Sequence, residues 1–181
     1  MTLKDQLLQI MDKSRATELE FIANLTDEDR TQDGTYEKWS AKDILAHVNY
    51  WEDVRSTRAV GWVRGEELEP LPTFEQANTE CHARFSQSTW DEVEAFAKQT
   101  HAKMVETIRD MDEEILAGPS VESEERKMWD SLVMAAYTHK LGHFSNFYQD
   151  SERMEAASRL WSEWAKLVSP LDAGSEWQGG V

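Results

Sequence analysis

Apolar residues recur three and four positions apart over long stretches of this chain, and strand-like alternation is scarce, so helices are expected nearly throughout. The first segment covers about residues 2–24, with Leu3, Leu7, Ile10 and Met11 on one side and Leu19 and Ile22 further on. The second, about 41–62, opens with "WSAKDILAHVNYWE", residues 39–52. Ser40 and Asp43 form a capping box there, and Ile44, Val48 and Trp51 mark the inward face. A linker with Gly65, Pro70 and Pro72 follows, then a short helix at 73–87. The third long helix starts at the box Thr89 and Glu92, and its buried stripe is Val93, Phe96, Ala97, Thr100, Met104, Ile108 and Met111. A charged connection leads to the fourth helix, about 127–149, and an amphipathic piece, "ERMEAASRLWSEWAKLV", comes last.

Pro70, Pro72, Pro119 and Pro170 all fall where the periodicity breaks. Asp33-Gly34 reads as a turn in the polar connection after the first helix. The pattern predicts an all-α fold: a helical bundle over residues 1–150, a C-terminal helix at 151–170 packed on it, and a flexible tail at 171–181. The long connection between the second and third long helices permits a crossover, where a short loop would force antiparallel neighbours.

Composition narrows the function classes. The chain of 181 residues is long enough for one sizeable core. Its net charge of -16, with no dense basic cluster, argues against nucleic-acid binding. No apolar run approaches the ~20 residues that cross a bilayer, and the start, "MTLKDQLLQIMDK", does not read as a signal peptide. The single cysteine, Cys81, allows no internal disulfide and suits a reducing compartment, so a cytoplasmic protein is expected. Cys81 and His82 read as incidental, and most of the eight tryptophans, Trp39 among them, as core or helix-end packing.

The candidate chemistry lies in the histidines. His47 falls on the inward face of the second helix, between Ile44 and Trp51. In the fourth helix Leu132, Ala136, His139, His143 and Phe147 share one face, which stacks two imidazoles a turn apart. An H-x-x-x-H pair on one helix, completed by a histidine from a facing helix, is a known way to hold one metal ion in a bundle. The same residues also fit a hydrogen-bonded polar core. His101, beside the third helix's stripe, fits a fourth ligand, a proton shuttle or plain core, with core or support to the site favoured; no general base is evident, and His101 is the only catalytic candidate. His139 is followed by Lys140 rather than glutamate, so no zincin-type base is built into the helix.

"WSAKDILAHVNYWE" together with "THKLGHFSNF" resembles the DinB-like superfamily, which includes the N-terminal domain of mycothiol-dependent maleylpyruvate isomerase and bacterial thiol S-transferases. "TWDEVEAFAKQTHAKMVETIRDMDEEIL" is similar to the ClbS/DfsB branch. The likeness covers about residues 1–150. It implies a four-helix bundle with a crossover, often dimeric, with a divalent metal, commonly zinc or nickel, at a histidine triad. Carried onto this chain, the triad is His47, His139 and His143. Asn146 falls where many members place glutamine, as a support or substrate contact, and Tyr50 and Trp51 are candidates for pocket walls.

Three functions follow as expectations. One is a divalent-metal enzyme, a hydrolase or a thiol-dependent transferase or isomerase, acting on a small electrophile with a low-molecular-weight thiol as a possible cofactor. Another is a non-catalytic bundle that binds or sequesters a small molecule. The third is a metal-free protective hydrolase of the ClbS kind. A homodimer is expected from the resemblance, with the face Leu160, Trp161, Trp164 and Leu167 packing on the same chain or on a partner.

Overall fold

Five helix starts among the described residues carry one device: Thr2 with Asp5, Thr26 with Asp29, Ser40 with Asp43, Thr73 with Gln76, and Thr89 with Glu92. In each, the first side chain accepts from the backbone N–H three residues on, and the second side chain accepts from the backbone N–H of the first residue. Two otherwise unpaired donors are satisfied locally, so the helix starts are set by short-range chemistry. The computed structural model describes residues 1–32, 34, 35 and 38–171. The expected turn at Asp33-Gly34 lies partly outside the described residues, and the tail lies outside them from residue 172 onward.

The helices are α1 (Leu3–Ala23), α2 (Asp27–Thr31), α3 (Ala41–Val63), α4 (Phe74–Phe85), α5 (Trp90–Asp110), α6 (Glu113–Ala117), α7 (Met128–Val133), α8 (His139–Asp150) and α9 (Met154–Val168). Between α7 and α8 the chain passes through a π-helical turn, Met134–Thr138. The charged connection before α7 holds a small antiparallel ladder, β1 (Pro119–Ser120) with β2 (Ser123–Lys127). The Ser120 hydroxyl closes its turn by accepting from the backbone N–H of Ser123 at 3.2 Å. Helical periodicity gave no sign of this ladder, because its short strands bury little.

Polar contacts fix the helix directions. Lys42 at the start of α3 donates to the Ser88 carbonyl, just before α5, at 2.9 Å. Further along the same pair, Lys103 meets Asp53 at 2.7 Å. So α3 and α5 run parallel, and the long linker carrying α4 is a crossover. Lys4 in α1 donates to the carbonyl of Arg109 near the end of α5 at 2.8 Å, which makes that pair antiparallel. Phe21 near the end of α1 stacks on Phe144 with ring centroids 4.1 Å apart, while Ser14 reaches back to the Ala136 carbonyl. Thus α1 runs parallel to the α7–α8 rod. The bundle is all-α, with two parallel pairs opposed, and α9 lies against α8 and α1 through Trp161, Trp164 and Arg159. Among the described residues no helix is long and apolar enough to cross a membrane.

The core is mostly apolar but encloses a cluster of charged groups. Lys140 in α8 is 1% exposed, and its ammonium lies 2.8 Å from Glu18 of α1 and 2.6 Å from Glu52 of α3. Asn49 donates to Glu18 at 2.9 Å, and Arg15 also pairs with Glu18. Burial opposes the charge on Lys140, but the two carboxylates outweigh it and raise its pKa. Burial likewise opposes ionisation of Glu18, and Lys140 outweighs it and holds that carboxyl below its ordinary range. Glu52 is pushed up to about 7, since burial there outweighs the attraction of Lys140.

A buried ion cluster of this kind loses far more when one partner is removed than when all its charges are removed. Lys140→Ala is expected to destabilise the fold by about 3–5 kcal/mol in urea denaturation. The triple variant Lys140→Met, Glu18→Gln, Glu52→Gln should cost less than the single one, because it leaves no buried carboxylate unpaired. A triple variant less stable than Lys140→Ala would contradict this account.

Candidate metal centre

The π turn decides where the histidines face. Before it, Leu132 and Ala136 are 1% and 0% exposed. After it, the fully buried stripe is Leu141, Phe144 and Tyr148, at 0%, 0% and 2%. The step from Ala136 to Leu141 is five residues, a spacing the π turn brings onto one face, and Lys140, four after Ala136, is buried beside that stripe at 1%. The stripe expected from sequence, Leu132, Ala136, His139, His143 and Phe147, is therefore split. Its last three members are rotated to the half-buried edge of α8. The carbonyl of Ala136, inside the turn, accepts from the Ser14 hydroxyl, and Trp164 of α9 donates to the Thr138 hydroxyl at 2.9 Å. Partners from α1 and α9 thus engage polar groups at this helical irregularity.

At that edge α8 meets α3. His139 Nε2 lies 3.2 Å from His47 Nε2 and 3.0 Å from His143 Nε2. The ligand-capable atoms of the three residues all lie within 4.8 Å of one another. The rings meet edge to face, with centroids 4.7–4.9 Å apart. Trp39 packs against His47 with centroids 4.4 Å apart and stacks on His143 at 5.8 Å. His47 is 5% exposed, whereas His139 and His143 are half-buried, so the cluster has an inner wall and an open side.

Burial and mutual repulsion keep these imidazoles neutral. His47 is pushed down to about 3, first by burial and then by His143. His139 is pushed down to about 2 by burial, followed by the charges of His143, His47 and Lys140. His143 is lowered by burial as well. Neutral imidazole is the form that ligates a metal. Nitrogens held ~2.0–2.1 Å from one ion at tetrahedral or octahedral angles stand about 2.9–3.4 Å apart, and the two short separations fit that range. Cys81 stands near His47, but burial and Asp43 push its thiol up to about 12, so it offers no thiolate at neutral pH.

The other candidate residues have these surroundings. Tyr50 is directed toward Glu80 of α4, which with burial pushes its hydroxyl up to about 12. Trp51 packs on Phe74, with centroids 5.7 Å apart. Asn146 is exposed on α8. His101 is pushed down to about 4 by burial and by Lys140, and stands beside the buried ion cluster. Sequence reasoning passed over Trp39 as a ring of this site, and over Glu18, Glu52 and Lys140 beneath it. A signal existed for the charged residues: Glu18 lies seven after Met11, Glu52 four after Val48, and Lys140 four after Ala136, all on apolar stripes.

Comparisons with known proteins agree with the fold. Residues 5–143 match the family model described as the DinB superfamily, a span that includes all three histidines. A crystal structure of an uncharacterised protein from Escherichia coli UTI89 is similar, with a TM-score of 0.64 and 17% sequence identity over 92% of this chain and 94% of that one. At this identity the likeness concerns the fold alone. No curated protein matches the sequence.

The depressed histidines make stability depend on pH. Unfolding returns each ring to an ordinary pKa of about 6.5, so below that pH the unfolded chain binds protons that the native cluster refuses. Their contribution is fully present above about pH 6.5 and is lost as pH falls toward 3. Glu52, raised in the native state, acts in the opposite sense, but it is one group against several. Thermal melts from pH 7.5 to 4.5 are expected to show falling stability, with a shallower slope in His47→Gln. A melting temperature that rises toward pH 4.5 would contradict the assignment.

Proposed function

The chain belongs to the DinB superfamily, and from that premise we propose that it is a divalent-metal-dependent enzyme acting on a small electrophilic substrate. His47, His139 and His143 would hold the ion. The observation that carries this reading is the double contact at His139. An imidazole nitrogen has one proton or one lone pair, so His139 Nε2 can satisfy only one of two neighbouring ring nitrogens. A shared cation turns three competing lone pairs into three ligands, which removes the conflict.

In such a site the ion supplies a Lewis acid that activates water or a low-molecular-weight thiol toward an electrophile. The chain's own groups set the surroundings. His47 forms the inner wall, and His139 and His143 lie toward the open side. The Trp39 indole flanks two of the rings. The reaction is then a hydrolysis or a thiol-dependent transfer or isomerisation, with zinc or nickel as the ion.

Dialysis against zinc or nickel followed by elemental analysis tests the reading. About one ion per chain should be retained. The double variant His139→Ala, His143→Ala should lose more than about 100-fold in affinity, beyond what removal of supporting residues alone produces. Wild-type protein with no affinity for either ion would overturn the proposal. Turnover of a model electrophile that survives a chelator would favour a metal-free hydrolase instead.

A further inference from the structure

His47 presents one ring nitrogen to the imidazole cluster and the other to the protein interior. Its Nδ1 is fully buried and has no hydrogen-bond partner among the described residues. The side-chain oxygen of Asn78, on α4, is buried and unpartnered in the same way. Both residues line one cavity of about 10 Å³, together with Trp39, Asp43, Cys81 and Phe85. A space of about that size holds one water, provided polar groups are there to receive it.

We propose that Asn78 is a positioning residue for His47, acting through a single water in this cavity. The proposal rests on the metal reading for its consequence, though not for its geometry. A ring that offers its Nε2 lone pair to an ion carries its proton on Nδ1. The water accepts from that Nδ1–H and donates to Asn78 Oδ1, so both buried groups are satisfied. Asp43, the charged alternative at the cavity, is already engaged: its Oδ2 accepts from the Ser40 backbone N–H at 2.9 Å and from the Ser40 hydroxyl at 2.7 Å. The buried Cys81 thiol is a poor acceptor by comparison. Support of this kind fixes both the tautomer and the ring angle of a ligating histidine. The otherwise unremarked α4, carried in the crossover, then has a part in the site on α3 and α8.

Two measurements test this. A high-resolution crystal structure of the wild-type protein should show one ordered water within about 3.2 Å of both His47 Nδ1 and Asn78 Oδ1. Zinc titration should show Asn78→Leu, which removes the acceptor and fills the cavity, weakening affinity by about 10–100-fold. Asn78→Asp, which keeps an acceptor, should remain close to wild type, and melting curves should show that both variants fold. A cavity without a water touching both atoms, or an Asn78→Leu protein that binds zinc as tightly as wild type, would overturn the proposal. If the wild-type protein binds no zinc, the metal reading fails by itself, and the water together with ¹⁵N NMR of the His47 tautomer still decides the role of Asn78. If Asn78→Leu does not fold, Asn78→Ala takes its place in the titration.

Discussion

One buried ammonium ties three helices of this bundle together. Lys140 has no solvent to fall back on, so its charge is tolerable only between Glu18 and Glu52. Those partners come from α1 and α3. The requirement that all three meet therefore sets the rotation and the axial register of α8 against both helices. Apolar packing alone is permissive about such sliding, since one aliphatic contact substitutes readily for another. His139 is the residue immediately before it in the chain. The pairing that locks Lys140 inward thus also fixes the ring that sits centrally among the three imidazoles.

The π turn reconciles two demands on one helix. A ligand cluster has to be reachable, and a core stripe has to be closed. With regular α-helical geometry, the stripe containing Leu132 and Ala136 would carry His139 and His143 into the fully buried interior. The extra residue at Met134–Thr138 passes the core role to Leu141, Phe144 and Tyr148 and leaves the histidines at the margin. Irregular turns of this kind are often found at functional sites. Here the irregularity is held from outside by the Ser14 hydroxyl and the Trp164 indole. That gives the C-terminal helix α9 a structural link to the site, even though it lies beyond the span matched by the family.

Electrostatics at two scales favours a cation. The whole chain carries a net charge of -16, which attracts divalent ions and repels anionic polymers. Locally, desolvation has already removed the protons that would compete for the imidazole nitrogens. Protonating the cluster is costly, and leaving three nitrogens facing one another unpaired is also costly. The proposed ion would satisfy both constraints, and the Trp39 indole packs against two of the three rings.

Much of this was legible in the chain. Capping boxes at Ser40 and Thr89, most of the helical stripes and the inward face of His47 are local features, and local hydrogen bonding and periodicity determine them, whereas His139 and His143, expected on an inward stripe, lie at the half-buried edge of α8. The all-α bundle and the permitted crossover follow from the same signals. The parallel pairing of α3 with α5 was decided by long-range contacts such as Lys42 with Ser88 and Lys103 with Asp53. The rotation of His139 and His143 to an accessible edge needed the π turn, which sequence spacing does not encode, because its cost is met by partners on distant helices. Trp39 read as a helix-end ring until the fold set it against His47, and no sequence pattern pointed to Asn78, which shares a cavity with His47 only in the fold. By itself, then, the sequence determined which helices form and most of the faces that turn inward; only the tertiary structure decided how those faces meet, because buried charges and polar groups accept only the few arrangements that satisfy them all at once.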